Sequence, residues 1–270
     1  MKLGFIGTGN LASAILRGVV ACEKIAPSEI LIYDINQTKV KTDQLSKELS
    51  VVPLASASEA VSACEKIVVA VKPKDIGELL ASVSETAKTS NPLFISTAAG
   101  TTTDKLVGCL GYDARVIRIM PNINAAVGES MTAVCASSAA TEDDRSFAMS
   151  FCSCFGKAVE IEEKYFSAFT AVAGSAPAFA YIFADALASA GVKYGIPAAI
   201  AQDIAAQMLL GSAKTLLESP LSVSELVRNV CSPGGTTIEG VCSLKETGFE
   251  NSVITAIDKT VEKDRKMSAK

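Results

Sequence analysis

The chain has 270 residues, 49% of them hydrophobic and 20% charged, with a net charge of −4. That is enough chain for two domains, and an acidic balance without a long basic run makes nucleic acid an unexpected partner. Histidine is absent, which removes the commonest general acid–base and the commonest metal ligand together.

No stretch approaches the roughly 20 uninterrupted apolar residues of a membrane span. The chain enters an apolar run at Leu3 with no cleavable signal pattern, so the expectation is a cytoplasmic protein that does not engage a membrane. Of eight cysteines only Cys152 and Cys154 are close in sequence. A lone Cys-x-Cys pair in a histidine-free chain is a weak zinc signal, and the cysteines read as reduced, small apolar residues with no metal role.

The first 160 residues alternate short β-branched runs with helical patterns. Strands are expected at residues 3–6, 30–33, 67–71, 93–96, 116–119 and 131–135, and helices at 11–20, 37–49 and 74–86. This rhythm predicts a doubly wound, mainly parallel α/β sheet of the Rossmann-like type. From about Tyr165 the pattern turns to Ala, Leu, Ile and Met. Helices are expected at 177–190 with Gly191 as a stop, at 197–217 opened by Pro197, and at 222–230, 237–244 and 251–267. The helix around residues 201–217 is apolar on more than one face, which predicts burial on both sides against a second subunit. The expected division is a dinucleotide-binding domain over residues 1–160 and an all-α substrate-binding and dimerisation domain over residues 161–270.

Gly7-Thr8-Gly9-Asn10-Leu11-Ala12 follows a strand and opens a helix. The first glycine permits the tight turn, the second lets backbone reach a pyrophosphate, and the small third residue allows close helix–strand packing. Asp34 ends the next strand, 22 residues past Ala12. It suits a ribose diol, which favours NADH; Lys39 and Lys41 stand close enough to serve a 2′-phosphate, so NADPH stays open. Ala70-Val71-Lys72-Pro73 and Ala98-Ala99-Gly100 follow strands at the edge where ligands bind in such sheets. Lys72 either frames the cofactor or acts as a catalytic lysine.

Near the C-terminus, Ser232-Pro233-Gly234-Gly235-Thr236-Thr237 joins a rigid turn, two side-chain-free amides and paired hydroxyls to an apolar helical pattern. Unpaired N–H groups at a helix start attract anions, so this segment reads as a carboxylate cradle. A helix cap explains one hydroxyl and one glycine, but not Gly-Gly followed by two threonines.

With Met120-Pro121-Asn122 and Gly174-Ser175-Ala176-Pro177, these segments complete a set in which the sequence resembles the pyrroline-5-carboxylate reductase family along essentially its whole length. The resemblance implies NADPH or NADH bound in the N-terminal domain, with contacts on Ile6, Gly7, Thr8, Gly9, Asn10 and Leu11, on residues 70–73 and on residues 98–100. It implies a substrate carboxylate on the amides and hydroxyls around Thr236 and Thr237, with Thr237 near the ring nitrogen. Glu163 matches a position facing substrate, and Asn229 one facing cofactor. It further implies a homodimer through the C-terminal helices, with larger rings in some relatives. The chain departs from many members at Ala176 and Asn124, from some at Ala57, and from several NADPH users at Asp34.

A histidine-free site suits such a substrate. A protonated cyclic imine is already a good hydride acceptor, whereas a ketone leaves an oxyanion that needs support. Three other readings stand beside this one. A 3-hydroxyacid dehydrogenase-like enzyme carries a catalytic lysine on the helix after Gly174, where this chain has no lysine before Lys193. A non-enzymatic NAD(P)-sensing dimer has no need of Thr236 and Thr237. An F420-linked NADP reductase shares only the N-terminal half.

Overall fold

The computed structural model describes residues 1–34 and 39–268. The predicted helix start at Gln37 lies outside the described residues, as do the side chains of Lys39 and Lys41. Backbone contacts divide the chain into two compact units, Met1–Ser175 with Thr260–Lys270, and Ala176–Lys259.

The first unit is built on a sheet with eight strands among the described residues: β1 (Leu3–Ile6), β2 (Ile30–Tyr33), β3 (Val52–Pro53), β4 (Lys66–Val69), β5 (Leu93–Ser96), β6 (Val116–Met120), β7 (Ser130–Ala136) and β8 (Gly156–Glu160). Their order is β3-β2-β1-β4-β5-β6-β7-β8. All pairings are parallel except β6 with β7. Its helices are α1 (Asn10–Ala21), α2 (Lys39–Leu49), α3 (Ala57–Ala63), α4 (Pro73–Ser90), α5 (Thr103–Leu110), α6 (Glu142–Cys152) and the short α7 (Phe166–Phe169).

Successive strand residues point to opposite faces, and here both faces are covered. Phe5, Ile32, Val68, Ile95 and Ile117 enter one buried cluster with Ile15 and Leu16 of α1 and Phe151 of α6. Their neighbours Ile6, Leu31, Val69, Phe94 and Val116 enter another with Leu79, Leu80 and Val83 of α4 and Leu106 of α5. Each such side chain contributes about 1.5–3 kcal/mol by leaving water. Two-sided burial is why the strands read as unbroken apolar runs.

The second unit holds α8 (Ala176–Lys193), α9 (Ala198–Glu218), α10 (Val223–Val230), α11 (Thr236–Glu246) and the start of α12 (Phe249–Ser268). Gly191 does not stop α8, which runs on to Lys193. A Cβ at Gly191 would stand 3.2 Å from the Cβ of Ala201, so this glycine lets α8 approach α9. The left-handed residue after the helix is Gly195, with φ +93°. Pro197 is the N-cap of α9 rather than its first helical residue.

This unit has little core of its own. On α9 only Ala201 and Ala205 are buried, while Ile200, Ile204, Met208 and Leu210 are exposed. On α8 Tyr181 and Ile182 are 61% and 69% exposed. The helical run Glu163–Lys193 is long and apolar enough to cross a membrane by length and composition, with 11% of its apolar window buried.

Candidate functional site

The fingerprint turn leaves β1 at Gly7, whose φ is +107°. The Gly7 amide donates to the Tyr33 carbonyl at 2.7 Å. Thr8 is fully buried, and both its amide and its hydroxyl donate to Oδ2 of Asp34 at 2.7 Å. The Ser13 hydroxyl, one turn into α1, donates to the Thr8 and Gly9 carbonyls at 3.1 and 2.8 Å. The turn is thus braced from the end of β2 and from inside α1. Gly9 is the N-cap of α1, which has no side-chain cap and no acidic residue in its first turn. Such an end favours an anion.

A Cβ at Gly7 would lie 2.6 Å from the carbonyl oxygen of Ala70, so the first glycine is required where two backbone turns touch. A Cβ at Gly9 would meet nothing within 4 Å. The space beside Gly9 is therefore open.

The neighbouring turns lie at the same edge. The Ala70 amide donates to the Ile6 carbonyl at 2.8 Å. Lys72 is exposed and N-caps α4, with Pro73 as the first helical residue. Past β5, the Thr97 amide donates to the Val69 carbonyl at 3.0 Å. Ala98 and Gly100 are buried, Ala99 is half-buried, and Gly100 takes φ +69°. Residues 6–11, 70–73 and 98–100 therefore stand at the C-terminal ends of the adjacent strands β1, β4 and β5. That edge includes the place, between β1 and β4, where strand order reverses and ligands bind in doubly wound sheets.

Glu163, with its side chain 28% exposed, sits in a partly buried network that local sequence does not signal. Its Oε1 accepts from the Thr103 amide at 2.8 Å and from Nη1 of Arg118 at 3.0 Å, and its Oε2 accepts from the Thr103 hydroxyl at 3.0 Å. The Arg118 side chain is 4% exposed and its guanidinium lies 4.3 Å from the centre of the Phe166 ring. Burial, chiefly, and the facing Glu163 carboxylate push the Cys135 thiol up to about 12. Nearby, Nδ2 of Asn122 donates to the Ala173 carbonyl at 3.0 Å. That carbonyl stands four residues before Pro177, which has no N–H to offer it. The six residues Thr170–Ser175 form a π-helical turn.

In the second unit, Ser232–Gly235 is a β-turn with Pro233 and Gly234 at its centre. The Gly235 amide donates to the Ser232 carbonyl at 3.0 Å, and Gly234 takes φ +68°. Proline followed by a positive-φ glycine is the signature of a type II turn. A Cβ at Gly235 would overlap the Ser232 hydroxyl. Gly235 N-caps α11 with no side-chain cap, so Thr236 and Thr237 occupy a first turn whose amides lack a side-chain acceptor. Thr237 is half-buried; Thr236, Ser232 and, on the last turn of α10, Asn229 are exposed. The structure thus gathers residues 6–11, 70–73 and 98–100 at one sheet edge and Ser232, Gly234, Gly235, Thr236 and Thr237 at the start of α11, with Asn229 at the end of α10 and Glu163 beside Thr103.

The chain is 39% identical to pyrroline-5-carboxylate reductase of Escherichia coli over 267 residues, covering 99% of this chain and 98% of that protein. It belongs to the pyrroline-5-carboxylate reductase family. The Aquifex aeolicus reductase is 36% identical over 267 residues, at 99% and 97% coverage. The family model for pyrroline-5-carboxylate reductase dimerisation matches residues 163–267. The model for coenzyme F420-dependent NADP oxidoreductases matches residues 2–100. Among solved structures, the Plasmodium falciparum pyrroline carboxylate reductase with NADP bound superposes with a TM-score of 0.89 at 28% identity, covering 99% of this chain and 98% of that one. The Streptococcus pyogenes 1-pyrroline-5-carboxylate reductase gives 0.87 at 34% identity, with 98% of each chain covered.

Proposed function

We propose that the chain reduces the carbon–nitrogen double bond of 1-pyrroline-5-carboxylate with a hydride from NADPH or NADH, giving L-proline, the last step of proline biosynthesis. The observation that carries this reading is the full-length kinship at 39% identity to a protein of that name. The open, uncapped start of α1 supports a diphosphate there, and the uncapped start of α11 supports a carboxylate.

Ile6, Gly7, Thr8, Gly9, Asn10 and Leu11 line the diphosphate; Asp34 takes the adenosine ribose. Residues 70–73 and 98–100, with Asn229, frame the nicotinamide end. Ser232, Gly234, Gly235 and Thr236 hold the substrate carboxylate by amides and hydroxyls. The Thr237 hydroxyl orients the ring nitrogen and relays the proton that the product amine takes up. When bound, the dihydronicotinamide supplies the hydride. The protein's remaining task is to hold donor and imine carbon at roughly 3–3.5 Å. The imine enters protonated, so the product amine forms without an oxyanion, and no histidine is required.

The functional boundary lies at residues 160–161, with a cytoplasmic homodimer formed through the C-terminal helices. The exposed apolar residues of α8 and α9 and the dimerisation model over residues 163–267 support a second copy as their cover. Burial against that copy also accounts for the apolar length of Glu163–Lys193 without a bilayer. Steady-state reduction of pyrroline-5-carboxylate with NADPH and NADH in parallel tests the reading. Turnover with either coenzyme supports it, and absence of turnover with both contradicts it.

A further inference from the structure

We propose that Glu163 is a positioning residue that fixes the turn between β5 and α5, and that it does not touch the substrate. The inference rests on the reading above that residues 98–100 frame the nicotinamide. It departs from the expectation that Glu163 faces the bound imine.

The carboxylate is already committed. An ionised carboxylate offers about four lone-pair sites. Three are taken by the Thr103 amide, the Thr103 hydroxyl and Nη1 of Arg118. Little acceptor capacity remains for a ligand. The partners show what the group does instead. Thr103 is the first residue of α5, and its amide is one of the donors that a helix start leaves unpaired. Thr102 caps the same first turn by accepting from the Lys105 amide at 3.3 Å. Glu163 therefore grips the end of the segment 97–102 at the point where it becomes helix. A negative group at that position is favoured by the α5 dipole.

Arg118 makes the grip rigid. It projects from the middle of β6, buried, stacked on Phe166 and ion-paired with Glu163. Its Nε has no hydrogen-bond partner. A guanidinium so enclosed holds its carboxylate in place, because separating them strands a buried charge. The other side of the segment is closed as well. A Cβ at Gly100 would lie 3.4 Å from the Ser268 hydroxyl and 3.7 Å from the Cβ of Met267 on α12. Thr101 and Thr103 are buried. The backbone at residues 98–100 is thus held between the end of α12 and the Glu163–Arg118 pair.

The test measures NADPH affinity by fluorescence titration beside kcat and KM for pyrroline-5-carboxylate. It uses Glu163→Gln, Thr103→Val and Thr103→Ser. Loosening the turn is expected to weaken NADPH binding and lower kcat by about 10- to 100-fold in Glu163→Gln, the scale of a misplaced positioning group. KM for the imine should stay within about twofold. Thr103→Val, which removes one bond and leaves the Glu163–Arg118 pair intact, should shift the same quantities less, and Thr103→Ser should restore them. A raised KM for the imine with NADPH affinity unchanged would place Glu163 on the substrate and overturn the proposal. Unchanged values throughout would overturn it too. If Glu163→Gln does not fold, the two Thr103 variants decide. The titration needs no turnover, so it reads the turn even if the wild-type chain proves inactive on this imine.

Discussion

Alanine at Gly7 and alanine at Gly9 are expected to do opposite things, although the two glycines stand two residues apart in one motif. At Gly7 the backbone takes φ +107°, and holding a side-chain-bearing residue in such a region costs about 1–3 kcal/mol. The new methyl would also stand 2.6 Å from the Ala70 carbonyl oxygen and 2.7 Å from its carbon. Relieving that overlap against backbone costs about another 1–3 kcal/mol. The sum, about 2–6 kcal/mol, is a large part of the roughly 5–15 kcal/mol that holds a domain folded. At Gly9, φ is −61° and the methyl meets nothing within 4 Å. Folding should be unharmed or gain about 0.4–1 kcal/mol from a stiffer unfolded chain. The methyl would instead occupy the approach to the α1 amides, and a loss of about 10- to 100-fold in NADPH affinity corresponds to roughly 1.4–2.8 kcal/mol. Denaturant unfolding of the apo chain and NADPH titration separate the two effects. Wild-type stability in Gly7→Ala, or wild-type affinity in Gly9→Ala, would refute the assignment of these glycines.

Thr237→Ala should lower turnover more than it weakens NADPH binding; equal turnover would reject the proton-relay role. Ile204→Asp should dissociate or destabilise the dimer, read by light scattering, because the residue is an exposed isoleucine on a helix with almost no buried face. Burial raises the thiols of Cys64 to about 11 and of Cys135 to about 12, and drives Cys152 higher still. At about pH 8 the thiolate fraction of such a group is roughly one in a thousand or less. These three should react with an aromatic disulfide only on unfolding, and the exposed Cys242 should react in the native state. Fast native labelling of Cys135 would contradict the burial described.

The parallel strands were readable in advance because burial on both faces leaves apolar runs, as at Leu3–Ile6 and Leu93–Ser96. Edge strand β8, with the pattern Gly-Lys-Ala-Val-Glu, has no fully buried residue and carried no such signal. β3 spans two residues. The predicted strand at residues 67–71 runs from Lys66 to Val69, since Ala70 and Val71 are already in the turn that touches Gly7. Gly191 looked like a helix end because a glycine's two uses, termination and close approach, are alike in sequence. Only Ala201, ten residues on, tells them apart. The glycine motifs were legible because they are local. The setting of Glu163 was not, because its partners Thr103 and Arg118 stand 60 and 45 residues away.

In the proposed reaction the nicotinamide hydride goes to the imine carbon remote from the carboxylate. Reaction of pyrroline-5-carboxylate with NADPH carrying deuterium at the transferable C4 position tests it most directly. The expected product is L-proline with a single deuterium on that ring carbon, one proline for each NADPH consumed. Coenzyme oxidised without labelled proline, or no oxidation with labelled NADPH or NADH, would contradict it.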